Sequence, residues 1–118
     1  MRVLVCGDRK WADRHRIRWE LETLPPDTVV IEGEARGADT LGREVAEVLG
    51  FKVERYPANW EKFGRAAGPI RNQQMLTEGK PDLVIAFHDH IRESKGTADM
   101  IRLAVKEGIA TKLIGGVK

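Results

Sequence analysis

The chain carries a single cysteine, Cys6, in 118 residues. One thiol excludes an internal disulfide framework and a thiolate zinc site. No apolar run approaches the roughly 20 residues that a bilayer-spanning helix needs, so no membrane partner is expected. The first residues already follow a strand pattern and lack the apolar stretch of a signal peptide, which predicts a reducing, cytoplasmic location. Neither sign of charge dominates: 20 Lys and Arg stand against 18 Asp and Glu, a net charge of +2. That excess permits an anionic ligand. The interleaving of acids and bases argues against an extended nucleic-acid-binding face. Two common phosphate-binding fingerprints are also missing. There is no G-x-x-x-x-G-K-[ST], and no G-x-G-x-x-G follows the first strand pattern. Repeats, linkers and low-complexity tracts are absent, and hydrophobic residues make up 42% of the chain, so a folded single domain over residues 1–118 is expected.

What is present is a regular alternation. Strand patterns cover residues 2–6 (RVLVC), 28–31 (TVVI), 51–56, 82–87 (DLVIAF) and 110–114. Helical spacing covers 11–24, a segment from Asp39 or Thr40 to Leu49, 69–78 and 96–107. Pro25-Pro26 stops the first helix, Gly50 the second and Gly108 the last. Trp19 in the first helix and Val48 in the second belong to these apolar patterns, and Val105 is a further candidate in the last. Strict alternation predicts an α/β protein: a Rossmann-like, doubly wound, mainly parallel sheet of five strands with helices on both faces. Ligands of such sheets lie beyond the carboxyl ends of the strands.

The glycines fall on that edge. Gly7 follows the first strand, Gly33 and Gly37 the second, Gly64 and Gly68 the third, and Gly96 the fourth. Glycine lets a ligand approach the backbone, and a helix starting beside such a loop offers N–H groups to an anion. In GEARGAD, Arg36 can pair with a phosphate; Asp39 can accept from a ribose hydroxyl or cap the helix. In GRAAGPIRNQQM, Arg65 and Arg71 flank a Gly-Pro helix start, placing Arg71 and Asn72 in its first turn. A cation there opposes the helix dipole, a conflict that an anionic ligand or a nearby carboxylate resolves. In KGTADM, Thr97 can donate to a phosphate or cap its helix, and Asp99 lies in the first turn. Trp60 and Phe63 can stack a base or plug the core. His88, Asp89 and His90 fit polar loop residues better than a metal site, because two histidines are too few ligands. No metal and no cofactor is expected. Arg9 and Arg71 are the leading candidates for anion contacts, and Asp39 and Asn72 are expected to fix the ribose or the loop geometry.

Four segments together resemble the SLOG superfamily, in its small YspA/YpsA-related branch: VLVCGDRKW, IEGEARGADTLG, YPANWEKFGRAAGPIRNQQM and AFHDHIRESKGTADMIRLA. The resemblance implies a bacterial or phage source and a Rossmann-like pocket for a nucleotide-derived ligand. Relatives include cytokinin-activating phosphoribohydrolases, a DNA-processing protein and sensors of NAD-derived signals. Carried over by motif, the implied site is Gly7, Arg9, Gly33, Gly37, Asp39, Arg71, Asn72, Gly96 and Thr97; Arg36 and Trp60 join it from the residue-level reading. The phosphoribohydrolases resemble P-G-G-x-G-T-x-x-E where this chain reads S-K-G-T-A-D-M. Met100 stands at the catalytic Glu position, and Asp99 is one residue earlier, about 100° around the helix. Three functions follow as expectations. The leading one is a binding module, sensor or sequestering protein for an NAD- or ADP-ribose-like ligand. The second is an N-glycosidic hydrolase using Asp39 or Asp99. The third is a nucleic-acid-associated protein. The resemblance also implies possible homo-oligomers.

Overall fold

The computed structural model describes residues 1–115. Five strands, β1 (Arg2–Gly7), β2 (Val29–Glu32), β3 (Lys52–Arg55), β4 (Leu83–Phe87) and β5 (Ala110–Ile114), form one sheet in the order β3-β2-β1-β4-β5. Every pairing is parallel. The helices are α1 (Arg14–Leu21), α2 (Ala38–Val48), α3 (Trp60–Phe63), α4 (Ala67–Gly79) and α5 (Gly96–Lys106).

Central β1 is apolar on both faces because both are covered. Val3 and Val5 pack with Ile17 and Leu21 of α1 and Ala38, Val45 and Ala46 of α2. Leu4 and Cys6 point the other way, toward Met75 and Leu76 of α4 and Met100 and Ala104 of α5. This two-residue alternation splits one strand between two cores. Gly7 pairs with Phe87 at the carboxyl ends of β1 and β4. There the strand order reverses, because the chain leaves β1 for β2 on one side and returns through β4 on the other. A crevice opens at that reversal.

Several boundaries differ from the sequence expectation. α1 starts at Arg14, where the Asp13 carboxylate accepts the Arg16 N–H at 3.0 Å. Trp11 precedes the helix and lies 5.6 Å from Phe87 between ring centroids. Trp19 is 67% exposed because α1 buries only Ile17, Glu20 and Leu21, and a residue two positions from Ile17 faces away. Buried Glu20 is held by Lys112 at 2.6 Å and Arg16 at 3.6 Å. Val48 and Val105 are also exposed, each beside the inward stripe of its helix. The connection expected over 57–69 contains α3 and a 3-10 turn, and α4 begins two residues before Pro69. Arg71 and Asn72 therefore sit in the second turn of α4, past the strongest part of its dipole.

Candidate functional site

Beyond the carboxyl ends of β1 and β4 lies a cleft of about 690 Å³. Its floor includes Cys6, Met75 and Met100. Its walls come from the loops after β1 and β4, from α4 and from the start of α5. Of the expected site residues, Gly7, Arg9, Asp39, Trp60, Arg71, Asn72, Gly96 and Thr97 line it. Asp99, the second carboxylate candidate, does so as well. Gly33 and Arg36 line a neighbouring cavity of about 320 Å³. Gly37 lines neither cavity. It has a φ of 73°, and a Cβ there would strike the Asp8 carbonyl oxygen, so this glycine lets the loops after β1 and β2 touch.

The loop between β2 and α2 is built on two buried carboxyls. Asp39 is 4% exposed, and its carboxylate accepts the Gly33 N–H at 3.0 Å and the Ala35 N–H at 3.4 Å. Burial pushes its pKa up to about 6, against the opposing pull of Arg71, these N–H groups and Arg9. Asp39 thus folds its loop backwards; the N-cap of α2 is Gly37, with no side-chain capping bond. Glu32, at the end of β2, is fully buried. One of its oxygens accepts the Glu34 N–H at 2.8 Å, and the other has no partner. Burial, then the adjacent Glu34 carboxylate, pushes Glu32 up to about 8. Glu34 itself holds a φ of 60°, and the Thr40 hydroxyl donates to the Ala35 carbonyl at 2.7 Å.

Arg71 spans from α4 to this loop. Its Nη1 donates to the Gly33 carbonyl, and its Nε donates to Asn72 Oδ1 at 3.2 Å. The guanidinium packs closely on Gly33, so a side chain there would have to displace Arg71. Asn72 is buried and donates through Nδ2 to the Gly96 carbonyl at 3.3 Å and Asp99 Oδ2 at 3.2 Å. Asp99 also accepts from Arg102 at 2.8 Å. Arg71 and Asn72 therefore join the loop after β2 to α5 through α4. Arg71 has no carboxylate within salt-bridge distance among the described residues.

The helix N-termini are less open to an anion than their loops suggest. The Ala38 N–H donates to the Asp8 carbonyl at 3.1 Å. At α5, Ser94 Oγ accepts the Thr97 N–H at 3.0 Å and the Ala98 N–H at 3.3 Å. Ser94, which follows His88 and His90 only as a loop neighbour in sequence, is the capping side chain; Thr97 is not. Trp60 is not a core plug: it is 50% exposed at the cleft rim, with the Arg9 guanidinium 5.9 Å from its ring centroid.

Sequence reading missed Lys10, Lys95, Asp8 and His88 as cleft residues, and Glu32 altogether. His88 is tucked in, its Nδ1 accepting the His90 N–H at 2.9 Å and its Nε2 3.9 Å from Asp8. Lys10 and Lys95 had a usable signal, since Lys10 lies three residues after the strand-end Gly7 and Lys95 directly precedes Gly96, the first residue of α5. Glu32 had none: a charged residue closing a strand ordinarily reads as exposed. Among the described residues no group of three or more His, Cys, Asp or Glu side chains is placed to hold a metal ion. Burial pushes the Cys6 thiol up, so the cleft floor presents a neutral sulfur.

Residues 1–63 match the model of the YspA, cpYpsA-related SLOG family. The Gene 61 protein of Mycobacterium phage D29 is 39% identical over 118 aligned positions, which cover 92% of this chain and 91% of the phage protein. Among solved structures, DNA processing protein A from Streptococcus pneumoniae superposes with a TM-score of 0.78 at 18% identity, a likeness of fold. The match covers 98% of this chain and 50% of that one, so the chain spans half the length of that structural relative. With both the sequence motifs and the five-stranded parallel sheet in place, the chain belongs to the YspA, cpYpsA-related SLOG family.

Proposed function

We propose that the cleft binds a nucleotide-derived small molecule carrying phosphate and ribose, and that the protein senses or sequesters it. One observation carries this reading. Away from the cleft, Arg2, Arg14, Arg16, Arg18, Arg43, Arg55 and Arg102 each pair with a carboxylate. At the cleft, Arg9, Arg65 and Arg71 make no ion pair among the described residues, and neither do Lys10 and Lys95, which line it with them. Arg36, Arg92 and several lysines elsewhere also lack an ion pair among the described residues, but only the cleft gathers five such cations around one space. Guanidinium groups bind phosphate through paired, charge-assisted hydrogen bonds. Asp39 and Asn72 are committed to the framework, which leaves Thr97 and Asp99 as the nearer candidates for ribose hydroxyls.

N-glycosidic cleavage is a second reading, favoured by Asp99, a carboxylate that lines the cleft and is oriented by Asn72. Such a group can stabilise an oxocarbenium-like state. A nucleic-acid role is disfavoured on the α1 side, because Arg14, Arg16 and Arg18 are all paired with glutamates.

The test is a thermal-shift series with AMP, ADP-ribose, NAD, cyclic ADP-ribose isomers and cyclic dinucleotides, each mixture then chromatographed. Ligand at a hundredfold over its Kd stabilises by about 2.7 kcal/mol, an easily measured shift. The expected result is a shift with the ligand recovered intact, abolished by Arg9→Ala or Arg65→Ala without change in the ligand-free melting temperature. Release of free base supports the hydrolase instead. No shift with any compound overturns the proposal.

A further inference from the structure

We infer that the site is bipartite and takes a ligand whose two halves are joined through a phosphate bridge; this rests on the reading of the cleft as a nucleotide site. The cleft and the smaller cavity beside it share four lining residues, Arg9, Ala35, Trp60 and Arg71. Those residues form the ridge along which the two spaces meet. Both volumes, about 690 and 320 Å³, fall in the range of small-molecule subsites.

The chemistry of the ridge differs from that of the spaces it joins. It carries two guanidinium groups with no ion pair among the described residues. Arg71 is held in place by Gly33 and Asn72, and Arg9 lies over Trp60. A bridging phosphate or pyrophosphate set there meets both cations, while the groups it links extend to either side. The larger space offers a sulfur-lined floor and the polar side chains of Thr97 and Asp99. The smaller one is lined by Pro57, Ala58 and Trp60 together with Glu34 and Arg36, a mixed apolar and polar lining suited to a base or sugar. A mononucleotide occupies one space and reaches the ridge with its phosphate. Only a ligand with a group on each side of the phosphate uses both.

The experiment compares the affinity of ADP-ribose with that of AMP, by calorimetry, in the unmodified chain and in Ala58→Trp, which fills the smaller space. ADP-ribose is expected to bind at least about tenfold tighter than AMP, and the variant to bring the ratio toward one. Arg36→Ala, an exposed side chain, is measured in parallel and is expected to reduce the ratio. It decides the question if Ala58→Trp fails to fold by circular dichroism. Equal affinities in the unmodified chain overturn the bipartite site and leave the mononucleotide reading standing. A ratio unchanged in the folded variants overturns it too. Binding of neither compound overturns the nucleotide reading and this inference with it.

Discussion

Asp39 shows how a residue can be found in sequence while its work stays open among several roles. Its place after a strand-end glycine suggested a cap, a ribose contact or a hold on the loop geometry. The bonds to Gly33 and Ala35 show a buried anchor for the loop. Removing it strands two N–H groups, so Asp39→Ala is expected to cost about 1–3 kcal/mol in urea denaturation. Asp39→Asn keeps an acceptor and is expected to cost clearly less; equal losses would show that the N–H groups find other partners. Glu32 adds a pH dependence. Its folded pKa of about 8 exceeds its ordinary value of 4.5, so the folded state holds a proton that the unfolded state releases. Its contribution to stability is therefore fully present at low pH. It declines as pH rises between those values, by about 1 kcal/mol per unit, and is lost above the folded pKa. Glu32→Gln is expected to flatten the stability profile over that window, as read by melts at pH 5 and pH 8. An unchanged slope would assign the proton to another group.

At the scale of elements, the contact between the loops after β1 and β2 depends on Gly37. Gly37→Val is expected to destabilise by at least about 1–3 kcal/mol, because it combines a positive φ with a steric collision. Chemical denaturation measures the loss, and a neutral substitution would mean that the two loops separate freely. Strand and helix identity was largely legible here. β1 and β4 were plain as apolar runs, and α2 and α5 from their spacing. The start of α4 was not, since Pro69 marks a first turn without saying how many residues precede it. That two-residue difference moved Arg71 and Asn72 out of the first turn. There Arg71 no longer opposes the strongest part of the dipole, and both side chains link α4 with its neighbours. Trp19 was misread because a large apolar residue on a short helix says nothing about whether its face meets the sheet.

For the molecule as a whole, the sheet runs from residue 2 to residue 114, with β1 between β2 and β4. Neither half of the chain completes a core alone, since Val3 and Val5 contact one layer and Leu4 and Cys6 the other. We propose that residues 1–115 unfold as one unit. Urea transitions followed by far-ultraviolet circular dichroism and by tryptophan fluorescence are expected to coincide, with buried-side Trp11 and rim-side Trp60 both contributing. Separate midpoints would reveal independent units. No helix among the described residues is long and apolar enough to cross a membrane.

The sequence by itself determined the order of the five strands and the four longer helices, the parallel sheet and the edge on which glycines and arginines gather. These follow from local periodicity and from the few ways alternating elements can pack. Only the tertiary structure decided which of those residues are spent on the protein itself. Whether Arg71, Asn72 or Asp39 is free for a ligand depends on carbonyls, N–H groups and carboxylates that lie far away in the chain or fold back from the next turn. Arg71 meets Gly33 across 38 positions, and Asn72 meets Asp99 across 27. Pairing of charge is a property of distance in space, and local pattern does not encode it.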